Sequence, residues 1–378
     1  MKKFQHNRKM RASKTTNQKN KLSVGKLLDL NAVIAPMPDL DGPAANDNPK
    51  KQNVPPTKEG SDQSLWQCKT IKAVGKLARR WDRKLKKLAL KAVERKMISE
   101  DLLSLLISLL QDRGATSDPL LIDPGIIDSA RKQLFQSLLA VAQANPTFEF
   151  AFVTIIDGGF ETSDHETVID LCGLKSVSRR ILSKMSRDYF AIVELALFNS
   201  HKHPTGGRLM SPHTHALIWG PKVISTADRM ANHFQLTLEP NMTGATPIVV
   251  KPVDTDPVNL ARMAAYLLKS PHKCKTFYPG TDANPGNMHS SRKSDRYIRY
   301  LRLAEIRSML SFDKVTFASG EGLRLRSGIV QSLRILAKEQ ARKAPRRFHP
   351  DEIQAFWCKL KIALGTTRFN MPVIKTRK

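Results

Sequence analysis

The stretch "SPHTHALIWG" (211–220) places His213 and His215 one residue apart in a run that reads as a β-strand. Strand side chains alternate between faces, so both imidazoles point the same way, while Thr214, Ala216 and Ile218 face the opposite side, toward a core. Leu217 and Trp219 continue the histidine face, which is therefore not simply polar surface. On its own such a pair reads as two residues of a half-buried strand; its surroundings change that. Glu194 sits in the middle of the apolar run "AIVELALF" (191–198). Buried and unpaired, a carboxylate there would cost on the order of several kcal/mol, so it needs a partner. If its strand forms a hairpin with the histidine strand, two neutral imidazoles and one carboxylate make a site for a divalent ion, with positions left for water and substrate. The alternative for Glu194 is a salt bridge with one of the chain's many arginines.

A third candidate is Tyr266 in "LARMAAYLLKSP". On a helix, Arg262, Tyr266 and Lys269 lie at i−4, i and i+3 and share a face, away from Ala264, Leu267 and Leu268. Two neighbouring cations favour loss of the phenolic proton, ordinarily held to about pH 10, and make the oxygen a nucleophile beside charges that can hold phosphate. A lone helical tyrosine is ordinarily a core or boundary residue. Tyr297 and Tyr300 in "DRYIRYLRL" are alternative nucleophiles, which read as packing or nucleic-acid contacts. A second histidine pair, His201 and His203, adjoins Pro204 and Gly206-Gly207, and reads as loop.

These residues need elements to position them. "FEFAFVTIID" (148–157), "YFAIVELALFN" (189–199), "LMSPHTHALIWG" and "TPIVVKPVD" (246–254) read as strands. Helices are expected at 163–187, opened by Ser163 or Asp164, at about 225–235 and at 256–270. The order β-α-β-β-α-β-α, with strands two and three joined as a hairpin, predicts an α+β fold: a ferredoxin/RRM-like antiparallel sheet, or palm, with helices on one side. Before it, 1–64 is polar and rich in Asn, Lys, Pro and Asp and reads as a disordered basic tail. Residues 65–145 read as a helical flank, with Ser99 capping "EDLLSLLISLLQ" and a further helix in "GIIDSARKQLFQSLLAVAQAN". The palm is expected over 146–280, and 281–378 is basic and mainly helical, most clearly in "GIVQSLRILAKEQARK".

The 378 residues carry 62 Lys and Arg against 34 Asp and Glu, a net charge of +28, which suits a polyanionic partner, nucleic acid above all. The longest apolar run, "LLSLLISLL" (102–110), is too short to span a bilayer and contains two serines, and the basic amino terminus lacks the apolar core of a secretory signal. Cys68, Cys172, Cys274 and Cys358 are scattered without CxxC pairing, as expected of thiols in a reducing cytoplasm. No G-x-x-x-x-G-K-[ST] occurs, and the glycine pairs at 158–159 and 206–207 fit turns, so an ATP-driven motor is not expected.

Over about residues 148–272 the sequence resembles the HUH endonucleases, specifically the rolling-circle replication initiators of plasmids and phages. "FVTIID" resembles the opening strand motif, "HTHALIWG" the His-hydrophobic-His motif, and "YLLK" the tyrosine motif with a lysine three residues on. Thr214 departs from the hydrophobic middle position. The His motif precedes the tyrosine motif, as in initiators; many conjugative relaxases have the reverse order. The resemblance implies metal-assisted transesterification. His213 and His215, with Glu194, would bind Mg²⁺ or Mn²⁺. Tyr266 would attack a DNA phosphate to give a 5′-phosphotyrosine and a free 3′-hydroxyl, with Lys269 holding the phosphate or assisting the tyrosinate. Single-stranded or hairpin origin DNA would be the substrate, contacted by Arg262, Arg179 and Arg180, and a host helicase and DNA polymerase would do the rest. A single-strand transposase or relaxase with the same chemistry, or a non-catalytic DNA-binding regulator on the same fold, are the alternatives.

Overall fold

The computed structural model describes residues 98–111, 118–269, 274–278, 287–291, 297–343 and 349–376, together with Lys87 and Lys91. The expected tail over 1–64 and nearly all of the first part of the expected helical flank, 65–97, lie outside them.

The central sheet is built from β1 (Glu149–Ile156), β4 (Asp188–Lys202), β5 (Arg208–Gly220) and β6 (Ile248–Val253), in the order β6-β1-β5-β4, with every neighbouring pair antiparallel. β2 (Thr162–Ser163) pairs with the start of β5, and β3 (Val168–Asp170) lies off this sheet. The β4–β5 hairpin turns through Gly206 and Gly207 at φ of +95° and +78°, a backbone region that side chains with a Cβ rarely enter. The pair therefore acts as a turn, as its sequence implies.

Two helices cross between strands. These are α3 (Leu171–Met185), after β3, and α4 (Val223–Phe234), after β5. The expected start of α3 at Ser163 or Asp164 is wrong, because those side chains are used elsewhere. Ser163 Oγ donates to the Gly206 carbonyl, Asp164 Oδ1 accepts from the Arg208 amide, and Thr167 Oγ1 donates to the Ser163 carbonyl. Asp170 caps α3 instead, accepting from the Gly173 amide at 2.8 Å. Ser178 on α3 hydrogen-bonds Thr214 at 2.8 Å, which places α3 on the face opposite the histidines.

Helices also cover the other face, so the expectation of helices on one side only is corrected. α2 (Pro124–Ala144) and α5 (Pro257–Leu267) lie there, α2 joined to the end of α5 by Arg131 and α5 placing Tyr266 against β1 and β5. The physical reason is in the strands. β1 is buried at six of its eight positions, and β5 at every position after Arg208. A strand that is apolar on both sides must be covered on both.

The flanks join this sheet. α1 (Glu100–Gln111), which follows Ser99 as expected, packs with α6 (Tyr297–Ser308) and α9 (Pro350–Ala363) around Leu106, Leu301, Phe356 and Trp357. After the short α7 (Phe312–Val315), β9 (Thr316–Ser319) adds an edge to β4, and α8 (Glu321–Lys343) follows it. β7 (Cys274–Tyr278) and β8 (Asn287–Ser291) pair with each other, and β10 (Val373–Lys375) runs parallel to β3. Among the described residues the part from 281 onward is thus mainly helical, as expected, with three short strands, β8, β9 and β10, that its sequence did not signal. Buried Arg302 on α6 ties it to the palm, donating to the Asp164 carbonyl and Thr167 Oγ1.

Candidate metal centre

Register brings the three chemical residues together. His213 lies directly opposite Glu194 on β4, and His215 lies opposite Ile192 on β4 and Thr154 on β1. Residues opposite each other in an antiparallel pair share a face, so Glu194, His213, His215 and Thr154 all point to one side of the sheet. They are deeply covered: Glu194 is 9% exposed, His213 3% and His215 0%.

The two Nε2 atoms stand 3.1 Å apart, and Glu194 Oε2 is 2.9 Å from His215 Nε2 and 3.8 Å from His213 Nε2. The far nitrogens are held. His213 Nδ1 lies 3.0 Å from the Ser211 carbonyl, which can only accept, so Nδ1 carries the hydrogen and Nε2 presents a lone pair. His215 Nδ1 lies 3.0 Å from the Thr154 hydroxyl, which donates or accepts, so His215 can also deliver Nε2 as a lone pair. Two imidazole nitrogens and a carboxylate oxygen, all within 4.8 Å of one another and oriented from behind, form a group that could hold a metal ion.

Lys269 supplies positive charge at the same place. Its Nζ is 3.0 Å from Glu194 Oε2. Burial alone would raise the Glu194 carboxyl, but Lys269, then His215 and His213, outweigh it and hold the group well below the usual carboxylate range. The two readings of Glu194 therefore hold together: it is ion-paired and it belongs to a possible metal group. Its cationic partner is a lysine, not an arginine.

Tyr266 stands beside this cluster. Its ring meets His215 and Phe152 edge-on at centroid distances of 5.2 Å and 5.3 Å, and Lys269 Nζ lies 3.9 Å from its centroid. The helix α5 starts at Pro257, capped by Asp256, and ends at Leu267. Lys269 follows the cap residue Leu268, so it reaches Tyr266 from beyond the helix end and not as the next residue up a helical face. Arg262 is half-buried and donates to Asn259 Oδ1 at 3.3 Å, not to the cluster. Arg179 and Arg180 are exposed on α3, across the sheet, and are not brought to this site. Of the second histidine pair, read as loop, His201 instead lies within β4, one residue before its end, and hydrogen-bonds Ser200 Oγ, while His203 sits in the turn against Thr205. Neither belongs to the group that could hold a metal ion. Tyr297 and Tyr300 open α6.

Sequence reasoning missed two supporting residues. Thr154 orients His215, and its signal was a lone hydroxyl inside "FAFVTIID". Arg131, 6% exposed, donates through Nε and Nη2 to the Leu268 carbonyl at 3.1 and 2.6 Å and fixes the end of the tyrosine helix. Its burial lowers its pKa to about 10, with Asp128 opposing the shift. Its signal was an arginine on the apolar stripe Ile127, Arg131, Leu134, Leu138. Thr214, out of pattern in the sequence motif, is explained by the Ser178 hydroxyl that satisfies it.

Among the described residues no helix is long and apolar enough to cross a membrane. Comparison with protein-family models, with curated proteins and with solved structures finds no match to this chain.

Proposed function

We propose that this protein is an HUH-type nuclease that nicks and rejoins single-stranded DNA through Tyr266, as an initiator of rolling-circle replication. The observation that carries the reading is the convergence of Glu194, His213, His215, Lys269 and Tyr266 on one face of the sheet. The strand order β6-β1-β5-β4 agrees with a ferredoxin-like palm, and the net charge of +28 suits a DNA substrate.

In this mechanism His213, His215 and Glu194 would hold a divalent ion, Mg²⁺ or Mn²⁺, which would supply positive charge to the scissile phosphate. The Tyr266 phenol gives up its proton, and its oxygen forms a bond to phosphorus. The bond from phosphorus to the 3′ oxygen breaks, and that oxygen takes a proton to become a 3′-hydroxyl. Lys269, next to the tyrosine ring, offsets negative charge on the phenolate or on the phosphate. Thr154 and Ser211 keep the imidazoles turned inward through the reaction. The phosphodiester is exchanged, not hydrolysed, so the 3′-hydroxyl can attack the phosphotyrosine and reseal the strand without ATP. The partners are then origin DNA, single-stranded or in a hairpin, and a separate helicase and polymerase.

Cleavage of labelled single-stranded origin DNA by chelator-treated protein, with and without restored Mn²⁺, tests the proposal. The wild type should nick only with metal. His213→Ala/His215→Ala should bind DNA with nearly wild-type salt dependence, because the basic surface remains, yet not nick. Metal-restored nicking by the double variant at the wild-type rate would overturn the assignment.

A further inference from the structure

Four cations collect at the edge of the sheet where α3, β9 and the α7–α8 corner meet, away from the metal centre. Lys175 and Arg179 lie one turn apart on α3, and Arg326 and Arg334 lie two turns apart on α8. One carboxylate, Asp313, stands among them. Arg334 Nη2 reaches Asp313 Oδ2 at 2.6 Å. Arg326 is spent on the backbone, donating through Nη2 to the Asp313 carbonyl at 2.8 Å and through Nε to the Thr316 carbonyl at 3.0 Å.

The other two cations are left over. Among the described residues Lys175 makes no hydrogen bond or ion pair, and Arg179, exposed, lies over the Phe317 ring at 5.4 Å without a carboxylate partner. The groups facing Lys175 are Arg179 and Arg326, which repel it, and Asp313 and Cys172, which oppose them. Partial burial, then Arg179 and Arg326, push its ammonium down to about 8. Lys175 and Arg326 are half-buried and Arg179 and Arg334 exposed, so four positive groups face one carboxylate, an excess of charge that a multivalent anion would relieve.

We propose that Lys175, Arg179, Arg326 and Arg334 form a phosphodiester-binding site for a nucleic-acid backbone, on the opposite side of the sheet from Tyr266. Lys175 and Arg179 touch the phosphates, while Arg326 and Arg334 hold the frame and add to the field. The guanidinium of Arg179, over the Phe317 ring, keeps its donors directed to solvent, where a phosphate can reach them. The site carries no base-reading group, so it positions nucleic acid irrespective of sequence. It rests on this patch alone and not on the cleavage reading.

The test uses the full chain and a short labelled duplex of arbitrary sequence. Lys175→Gln/Arg179→Gln should lower the slope of log affinity against log salt by nearly 2, since each phosphate that a side chain neutralises adds about 0.9 to it. Neither side chain holds the fold, so the melting temperature should stay. In a second readout Lys175 is acylated by an amine-reactive ester near pH 8, its own titration point. The duplex should protect it, since a bound phosphate restores the ammonium. An unchanged slope, or protection by inorganic phosphate as full as by duplex at equal phosphate concentration, would overturn the proposal; the second result would mean a free-phosphate site only. Neither readout involves strand cleavage, so the two readings fail separately.

Discussion

Replacing Lys269 with methionine keeps most of the length of the side chain and removes the charge that faces Glu194. At the observed 3.0 Å, and with an effective dielectric of about 20, the attraction is about 5–6 kcal/mol before desolvation is counted. Removing one partner of a buried pair costs about 3–5 kcal/mol in practice, because the other charge is left uncompensated. Lys269 keeps 26% of its side chain exposed, so the lower end, about 3 kcal/mol, is expected. For a folded unit of this size that is a fall in melting temperature of roughly 6–12 °C. A divalent ion bound by His213, His215 and Glu194 would supply the missing positive charge. Saturating Mn²⁺ should therefore restore most of the loss, stabilising Lys269→Met more than the wild type. Thermal melts with and without Mn²⁺ after chelator treatment measure both effects. A variant as stable as the wild type, or one that Mn²⁺ stabilises no more than the wild type, would refute the argument that Lys269 and a metal share the same carboxylate.

The pH dependence carries the same logic. Glu194 is held below its ordinary 4.5, so its contribution is complete at neutral pH and is lost as pH falls from about that value through its depressed native pKa. Denaturant melts of Lys269→Met should lose this acid-side stability, whereas a profile identical to the wild type would show that Glu194 draws nothing from the lysine. Thr154→Val removes the partner of His215 Nδ1 and should weaken Mn²⁺ binding about 10- to 100-fold, measured calorimetrically, with little change in DNA affinity. Arg131→Met leaves the Leu268 carbonyl buried without its donor, for a stability loss of about 1–3 kcal/mol. Because that carbonyl ends the tyrosine helix, the single-turnover nicking rate should fall while Mn²⁺ affinity stays, a split that a purely structural role would not produce.

Much of this site can be read in the sequence because it breaks the pattern around it. Glu194 interrupts an apolar strand, and His213 and His215 fall at positions whose parity puts them on one face with it. The hairpin then needs only the right register to join them. What covers that face is harder to see, since α2 and α5 come from either end of the palm and are placed by long-range packing. The signal is nevertheless present: "YFAIVELALF" is too continuously apolar for a sheet with one wet face. The start of α3 is misleading in the sequence because Ser163 and Asp164 are good caps in isolation, and only the folded chain shows them bound to Gly206 and Arg208. β9 and β10 are four and three residues long, too short to announce themselves, and exist because β4 and β3 have free edges to pair. Arg179 and Arg180 are basic enough to suggest DNA contact, but nothing in one sequence could place them across the sheet from the histidines.

The central claim is that the Tyr266 oxygen is the nucleophile. The direct measurement is a denaturing gel of protein incubated with Mn²⁺ and an end-labelled single-stranded origin oligonucleotide, followed by peptide mapping of the shifted band. The account predicts a covalent link between Tyr266 and the 5′ phosphate of the cleaved strand. It also predicts that Tyr266→Phe, which keeps the ring against His215 and Phe152, binds the oligonucleotide but forms no adduct. A link mapped to Tyr297 or Tyr300, or cleavage by Tyr266→Phe at the wild-type rate, would contradict it.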